Sequence, residues 1–285
     1  MKIAGHGNET YLYVNGISTS KNIVLHDGVV LVPVTSEFNY KRVSSLLEND
    51  IDFAVAAVSG RTIKSQIRIT ASDEKQLAFT AWNALWDYVL LGAIFHCDVM
   101  VNIQCDKPVE ELNNASFLNI TNYKFYNLLS EPYYLSQDDE NWISKYYLSA
   151  YKLLDKESFM VAVHAMASYK WHSMPRVELA VIWAGIESLF DAQTEISFRI
   201  SLYIANFLAG DDIVEAKDLF AKIRKLYTSR SAAVHGGKIK GDLSNLVFES
   251  AQLLNRIIRR CAELGDLPNL KGLVFPSSLD NTLNE

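Results

Sequence analysis

The run Tyr227-Thr-Ser-Arg230-Ser231-Ala-Ala-Val-His235-Gly236-Gly237 sets an arginine, a small hydroxyl residue and a histidine close together where two glycines end a helical pattern. A guanidinium is a planar, permanently charged fork that can neutralise a phosphate. Imidazole is the one side chain whose unperturbed pKa lets it give and take protons near neutrality. The combination points to phosphodiester chemistry without a metal. Arg230 would stabilise charge developing on a phosphate, His235 would act as general acid or base, and Ser231 would orient either of them by a hydrogen bond.

These residues must be carried by a helix that puts them to use. Ile223, Leu226, Tyr227, Arg230 and Val234 recur at helical spacing, so Arg230 stands in line with an apolar stripe rather than on the solvated side. Residues five apart on a straight helix are about 140° apart around its axis, so Arg230 and His235 do not converge on an undistorted helix. A two-fold partner resolves this, because an isologous dimer lays the same helix end from each protomer side by side. Between Lys217 and Lys240 there are seven cations, Lys217, Lys222, Arg224, Lys225, Arg230, Lys238 and Lys240, against the single acid Asp218. Of these, Lys222, Arg224, Lys225, Lys238 and Lys240 are candidates for gathering a polyanion. The competing reading is a solvated face near a helix C-terminus, where cations are favoured in any case.

The rest of the chain sets limits on that chemistry. With 285 residues, 49% hydrophobic and 21% charged, the composition is that of a folded protein. The net charge of -6 means that any nucleic-acid site must be local. Cys97, Cys105 and Cys261 lack paired ligand spacing and read as reduced structural thiols, and the histidines share no metal-binding spacing, so neither metal nor cofactor is expected. The first ten residues show no secretory pattern, and Leu77 to Phe95, interrupted by Asn83 and Asp87, reads as a buried amphipathic helix rather than a membrane span. A cytoplasmic location is the corresponding expectation.

The fold class expected is α+β, a mixed amino-terminal domain over 1–131 followed by an all-α bundle over 132–285. In the first half, 22–26 and 28–34 read as a hairpin broken at Asp27-Gly28, 40–49 as a helix, and 53–60 and 63–70 as strands. A long helix capped at Ser72-Asp73 runs to about His96, 98–104 is a strand, and 105–130 has no clear pattern. In the second half, helices are expected over about 136–154, 155–172, 173–190, 194–209, 211–235 and 243–264, the last closed by Gly265. Short turns between them describe a compact bundle. Trp82, Trp86, Trp171 and Trp183 are expected in the core.

The second half resembles the HEPN superfamily of small helical nucleotide- and RNA-binding domains, and more narrowly its Apea-like branch. The residues that carry the resemblance are Ile182-Trp-Ala-Gly-Ile-Glu187-Ser-Leu-Phe190, a helix ending Ile204-Ala-Asn-Phe-Leu208, and Ile223-Arg-Lys-Leu-Tyr227-Thr-Ser-Arg230-Ser231-Ala-Ala-Val-His235-Gly236. Arg230, Ser231 and His235 occupy the places of the family's arginine, polar residue and histidine. The resemblance implies a metal-independent endoribonuclease acting as a homodimer through the helical domain, often within toxin-antitoxin or antiviral defence systems. It also implies that some relatives keep the fold only for binding or dimerisation. In the cleavage reaction His235 would take the proton of a ribose 2′-hydroxyl or supply one to the leaving 5′ oxygen, and Glu187, set among apolar residues on a neighbouring helix, is a candidate to pair with Arg230 and hold its rotamer.

Three classes of function stay open on the sequence. One is an endoribonuclease effector whose amino-terminal domain senses a ligand or regulatory protein. Another is an RNA- or nucleotide-binding module without catalysis. The third is a scaffold in which Arg230 and His235 belong to a buried polar network.

Overall fold

A computed structural model describes residues 3–126, 130–190, 196–234, 236–237 and 241–273. An antiparallel sheet with helices occupies the amino-terminal part, and the carboxy-terminal part is helical, so the chain is α+β. It divides into two compact units, Met1–Leu148 and Ser149–Glu285.

In the first unit, β1 (Glu9–Asn15), β2 (Ile17–Ser18), β3 (Ile23–His26) and β4 (Val29–Pro33) precede α1 (Tyr40–Leu46) and α2 (Asp50–Gly60). Then come β5 (Ile63–Thr70), α3 (Glu74–Asn83), α4 (Leu85–Phe95), β6 (Met100–Cys105), β7 (Leu118–Ile120) and β8 (Tyr133–Tyr134). Six strands pair in the order β3-β4-β5-β1-β6-β7, all antiparallel, while β2 and β8 make a separate parallel pair. The hairpin of β3 and β4 turns at Gly28, whose φ of 71° is a left-handed value that suits glycine. β1 sits between β5 and β6 and is buried from Thr10 to Asn15, so both faces of the sheet are covered. Tyr11 and Tyr13, two apart in β1, join Phe38, Val43, Val55, Ala56 and Ile103 in one core cluster.

Residues 53–60, expected as a strand, lie in α2. Asn49 caps this helix by accepting from the Asp52 N–H, Asp50 and Asp52 favour its positive end, and Val55, Ala56, Ser59 and Gly60 form its buried side. The capping residues decide between two elements that a short apolar run leaves open. The helix expected to run unbroken to His96 is two helices. Ala84 closes α3 with its N–H on Thr80, and the Asp87 N–H starts again on the Ala84 carbonyl at 3.1 Å. By length and composition alone Glu74–Phe95 could cross a membrane. Here the run is interrupted, and Leu90, Leu91, Ala93 and Ile94 of α4 are buried in the protein core.

α5 (Gln137–Leu153) crosses the division between the units, which therefore falls at 148/149 rather than at 131/132. The first part of α5 belongs with the sheet, because Trp142 meets Phe95 edge-on and Tyr147 bonds Asp87. The second unit continues with α6 (Glu157–Ser168), α7 (Pro175–Leu189), α8 (Ile196–Ala209), α9 (Ile213–Val234) and α10 (Leu243–Leu264). α7 packs against α6, α9 and α10. Gly185 permits its approach to α6, since a Cβ there would lie 2.7 Å from Cβ of Ala165. Trp183 is buried as expected and donates to Ser250 Oγ at 3.1 Å. Trp82 and Trp171, by contrast, are exposed at 52% and 42%, and Trp86 is half-buried, because helical setting alone does not fix which side of the helix faces the core. α10 is capped by Asp242, ends at left-handed Gly265, and buries the stripe Leu246, Val247, Ser250, Leu254, Ile257 and Cys261.

Candidate active site

The site rests on the packing of α9 against α7. Asp212 accepts from the N–H groups of Val214 and Glu215 and starts α9, and Leu219, Ile223 and Leu226 anchor it in the core. Arg230 follows on that side, in the direction set by the apolar spacing. Its Nη2 donates to Glu187 Oε2 at 3.1 Å and lies 3.0 Å from Oε1, with side chains only 17% and 30% exposed. Its guanidinium carbon lies 5.6 Å from the centre of the Tyr227 ring, and that ring meets Trp183 of α7 edge-on at 5.2 Å. The Tyr227 hydroxyl is near enough to Glu187 to favour its charged form. An arginine, a carboxylate and a phenol thus form one partly buried cluster across two helices.

Burial is the main influence on the electrostatics of this cluster. It raises the Glu187 pKa above the ordinary carboxylate range, against the opposing pull of Arg230 and of the neighbouring Tyr227 hydroxyl. Burial also raises the Tyr227 pKa, and the Glu187 charge adds to that rise while Arg230 opposes it. The phenol therefore stays protonated and remains a donor. Arg230 Nε is buried and has no acceptor among the described residues, so the guanidinium retains donor capacity beyond Glu187.

Ser231 is half-buried beside Arg230 on α9. His235, Lys238 and Lys240 lie outside the described residues. Lys222 is turned to Glu249 of α10, 3.6 Å away. Arg224 and Lys225 are exposed, but they sit about 120° and 140° around the helix from Arg230 on opposite sides. These cations wind around α9 and do not line a single groove with Arg230.

Two contributors escaped sequence reasoning. In the sequence Tyr227 stands only as a member of the apolar stripe. Its place three residues before Arg230 is the signal that the two share a helix face. Arg176, in the first turn of α7, donates from Nη1 to the Ala233 carbonyl at 2.6 Å and from Nη2 to the Gly237 carbonyl at 3.4 Å. A cation in a helix's first turn is unfavourable for that helix, and this anomaly was visible in the sequence.

A second polar cluster lies within the first unit. Asp87 is wholly buried, with His26 Nε2 at 3.0 Å from Oδ2 and the Tyr147 hydroxyl donating to Oδ1 at 2.7 Å. Burial raises the Asp87 pKa against both partners. For His26, burial is the largest single influence and lowers the pKa, but the bonds to Asp87 and the Asp27 backbone outweigh it, so the net direction is upward. Cys105 and Cys261 are free and buried, with thiol pKa values raised by burial to about 11 and about 12, which leaves them inert. Among the described residues no group of three or more His, Cys, Asp or Glu could hold a metal ion.

Comparison with protein-family models, with curated proteins and with solved structures finds no match in any of the three.

Proposed function

We propose that this protein cleaves RNA without a metal ion, in the manner of an HEPN-type endoribonuclease, with Arg230 and His235 as its reacting groups. The observation that carries the reading is the setting of Arg230. It is largely withdrawn from water, faces a neighbouring helix, is steadied by Glu187 and Tyr227, and still has an uncommitted buried donor. A guanidinium held in this way is preorganised for charge that develops on a phosphate, which is the arrangement that makes such donors effective. His235, five residues on, supplies proton transfer to or from the 2′-hydroxyl and the leaving oxygen. Ser231 orients the phosphate.

The cleft forms between two protomers in this proposal. Val177, Ala180, Val181 and Ala184 repeat at helical spacing on a side of α7 that is exposed or half-exposed, and Val234 at the end of α9 is 42% exposed. A shared apolar face there would bring two copies of the Arg230 helix end together. The amino-terminal unit is assigned a sensing or restraining role toward a ligand or regulatory protein, and the whole a defence or toxin-like effector.

The test is incubation of the purified protein with cellular RNA in the presence and absence of a chelator. Cleavage is expected in both. Arg230→Ala should lower kcat by about 10² to 10³ and His235→Ala by about 10² to 10⁴, each with an unchanged circular-dichroism spectrum. Full activity in both variants would remove the reading. One observation favours a second reading, RNA or nucleotide binding without catalysis: Glu187 already offsets much of the Arg230 charge. In that case labelled RNA is retained by the protein and stays intact.

A further inference from the structure

The first turn of α7 and the last turn of α9 are joined in a way that neither helix needs for its own formation. α9 closes on itself where Gly236 takes a φ of 75° and the Gly237 N–H donates to the Ala232 carbonyl at 2.7 Å, a wrap that satisfies one terminal carbonyl. Other carbonyls of a last turn find no partner within their own helix. Arg176 takes up two acceptors in this region, the Ala233 carbonyl at 2.6 Å and the Gly237 carbonyl at 3.4 Å.

The electrostatics of this placement run in opposite directions at the two helices. A cation in the first turn of α7 opposes the dipole of that helix, whereas the same cation over the end of α9 favours the dipole of α9. Arg176, early in α7, meets the terminus of α9, and Glu187, late in α7, meets Arg230 close to that same terminus, so the end of α9 lies across α7. That arrangement is what brings the start of one to the end of the other. Both donors of the Arg176 fork in contact are committed to backbone carbonyls, which suits it to holding the chain rather than to contacting a phosphate.

We infer that Arg176 is a positioning residue for the reaction proposed above. It clamps the Ala233 and Gly237 carbonyls to the start of α7 and so holds the end of the Arg230 helix. The inference rests on the cleavage reading for its catalytic consequence, but the clamp itself has a readout that does not require activity.

The experiment uses the full-length protein with Arg176→Gln and Arg176→Lys. Amide hydrogen exchange followed by mass spectrometry reads the 232–237 peptide, and steady-state RNA cleavage reads kcat and KM separately. In Arg176→Gln, exchange in that peptide should speed up about tenfold while α6 and α10 peptides stay unchanged. kcat should fall by about 10- to 100-fold with KM within a few-fold of wild type, because misplacement by about an ångström suffices for such losses. Arg176→Lys keeps the charge but not the fork, so it should restore only part of kcat; it also serves as the test variant should Arg176→Gln not fold. Unchanged exchange at 232–237 in a folded variant overturns the clamp. Faster exchange with unaltered kcat overturns the positioning role. A wild-type protein that never cleaves RNA removes the catalytic part together with the reading it rests on, and the exchange result then decides the clamp alone.

Discussion

Glu187 shows how one side chain can both enable and restrain a candidate catalytic group. It holds Arg230 at 3.0 to 3.1 Å, and the same burial that makes the contact strong raises its own pKa. A carboxyl whose folded-state pKa is raised favours the fold most when protonated. Its contribution is fully present below the unfolded-state pKa and is lost as pH rises through the raised folded value. Glu187→Gln removes this titration. Urea midpoints measured against pH should therefore show wild type losing ground to the variant across the window that begins at the ordinary carboxylate pKa and ends at the raised one, with parallel curves outside it. Cleavage by Glu187→Gln should drop by about tenfold as Arg230 loses its fixed rotamer. A variant as active as wild type would show that Arg230 keeps its pose without the carboxylate. The Arg230 and Glu187 pairing was legible because helical spacing put the arginine on the apolar side and an apolar run surrounded the glutamate. The part played by Tyr227 was harder to see, since an aromatic in a hydrophobic stripe already has a sufficient explanation.

At the scale of elements, polar groups fasten strands and helices that are remote in sequence. His26 of β3, Asp87 of α4 and Tyr147 of α5 meet around one buried carboxylate. Removing a partner leaves that charge less compensated, and breaking a buried pair costs about 3 to 5 kcal/mol. His26→Ala should show a loss of this order in denaturant unfolding, and Tyr147→Phe a smaller one of about 1.5 to 3 kcal/mol, as for a hydrogen bond to a charged group. Losses below about 0.5 kcal/mol in both, the size expected of surface substitutions, would mean that Asp87 is protonated in the fold and that its partners compensate little charge. Elements themselves were readable where their ends carried signals. The end of α10 followed from Gly265, and the turn of the β3–β4 hairpin from Asp27-Gly28. The eight-residue apolar run over 53–60 fits both periods, so the sequence alone points to a strand where α2 forms, and β1 carries only the alternation of Tyr11 and Tyr13 with Leu12 and Val14 as its signal.

For the whole molecule, the decisive quantity is the oligomeric state. Sedimentation of the purified protein should give a species of twice the 32.1 kDa chain mass, as an isologous pairing through α7 and α9 requires. A strict monomer that still cleaves RNA would dispose of the shared cleft while sparing the chemistry. The sequence by itself determined the α+β class and the helical character of the second half, and it offered Arg230 and His235 as the groups of the proposed chemistry, because periodicity, caps and side-chain type are local properties. Only the tertiary structure decided that Arg176 reaches the end of α9, that Asp87 shares its burial with His26 and Tyr147, and that the cations of α9 point apart. Contacts between residues about 60 positions from one another depend on how helices and strands cross, and no local pattern encodes a crossing.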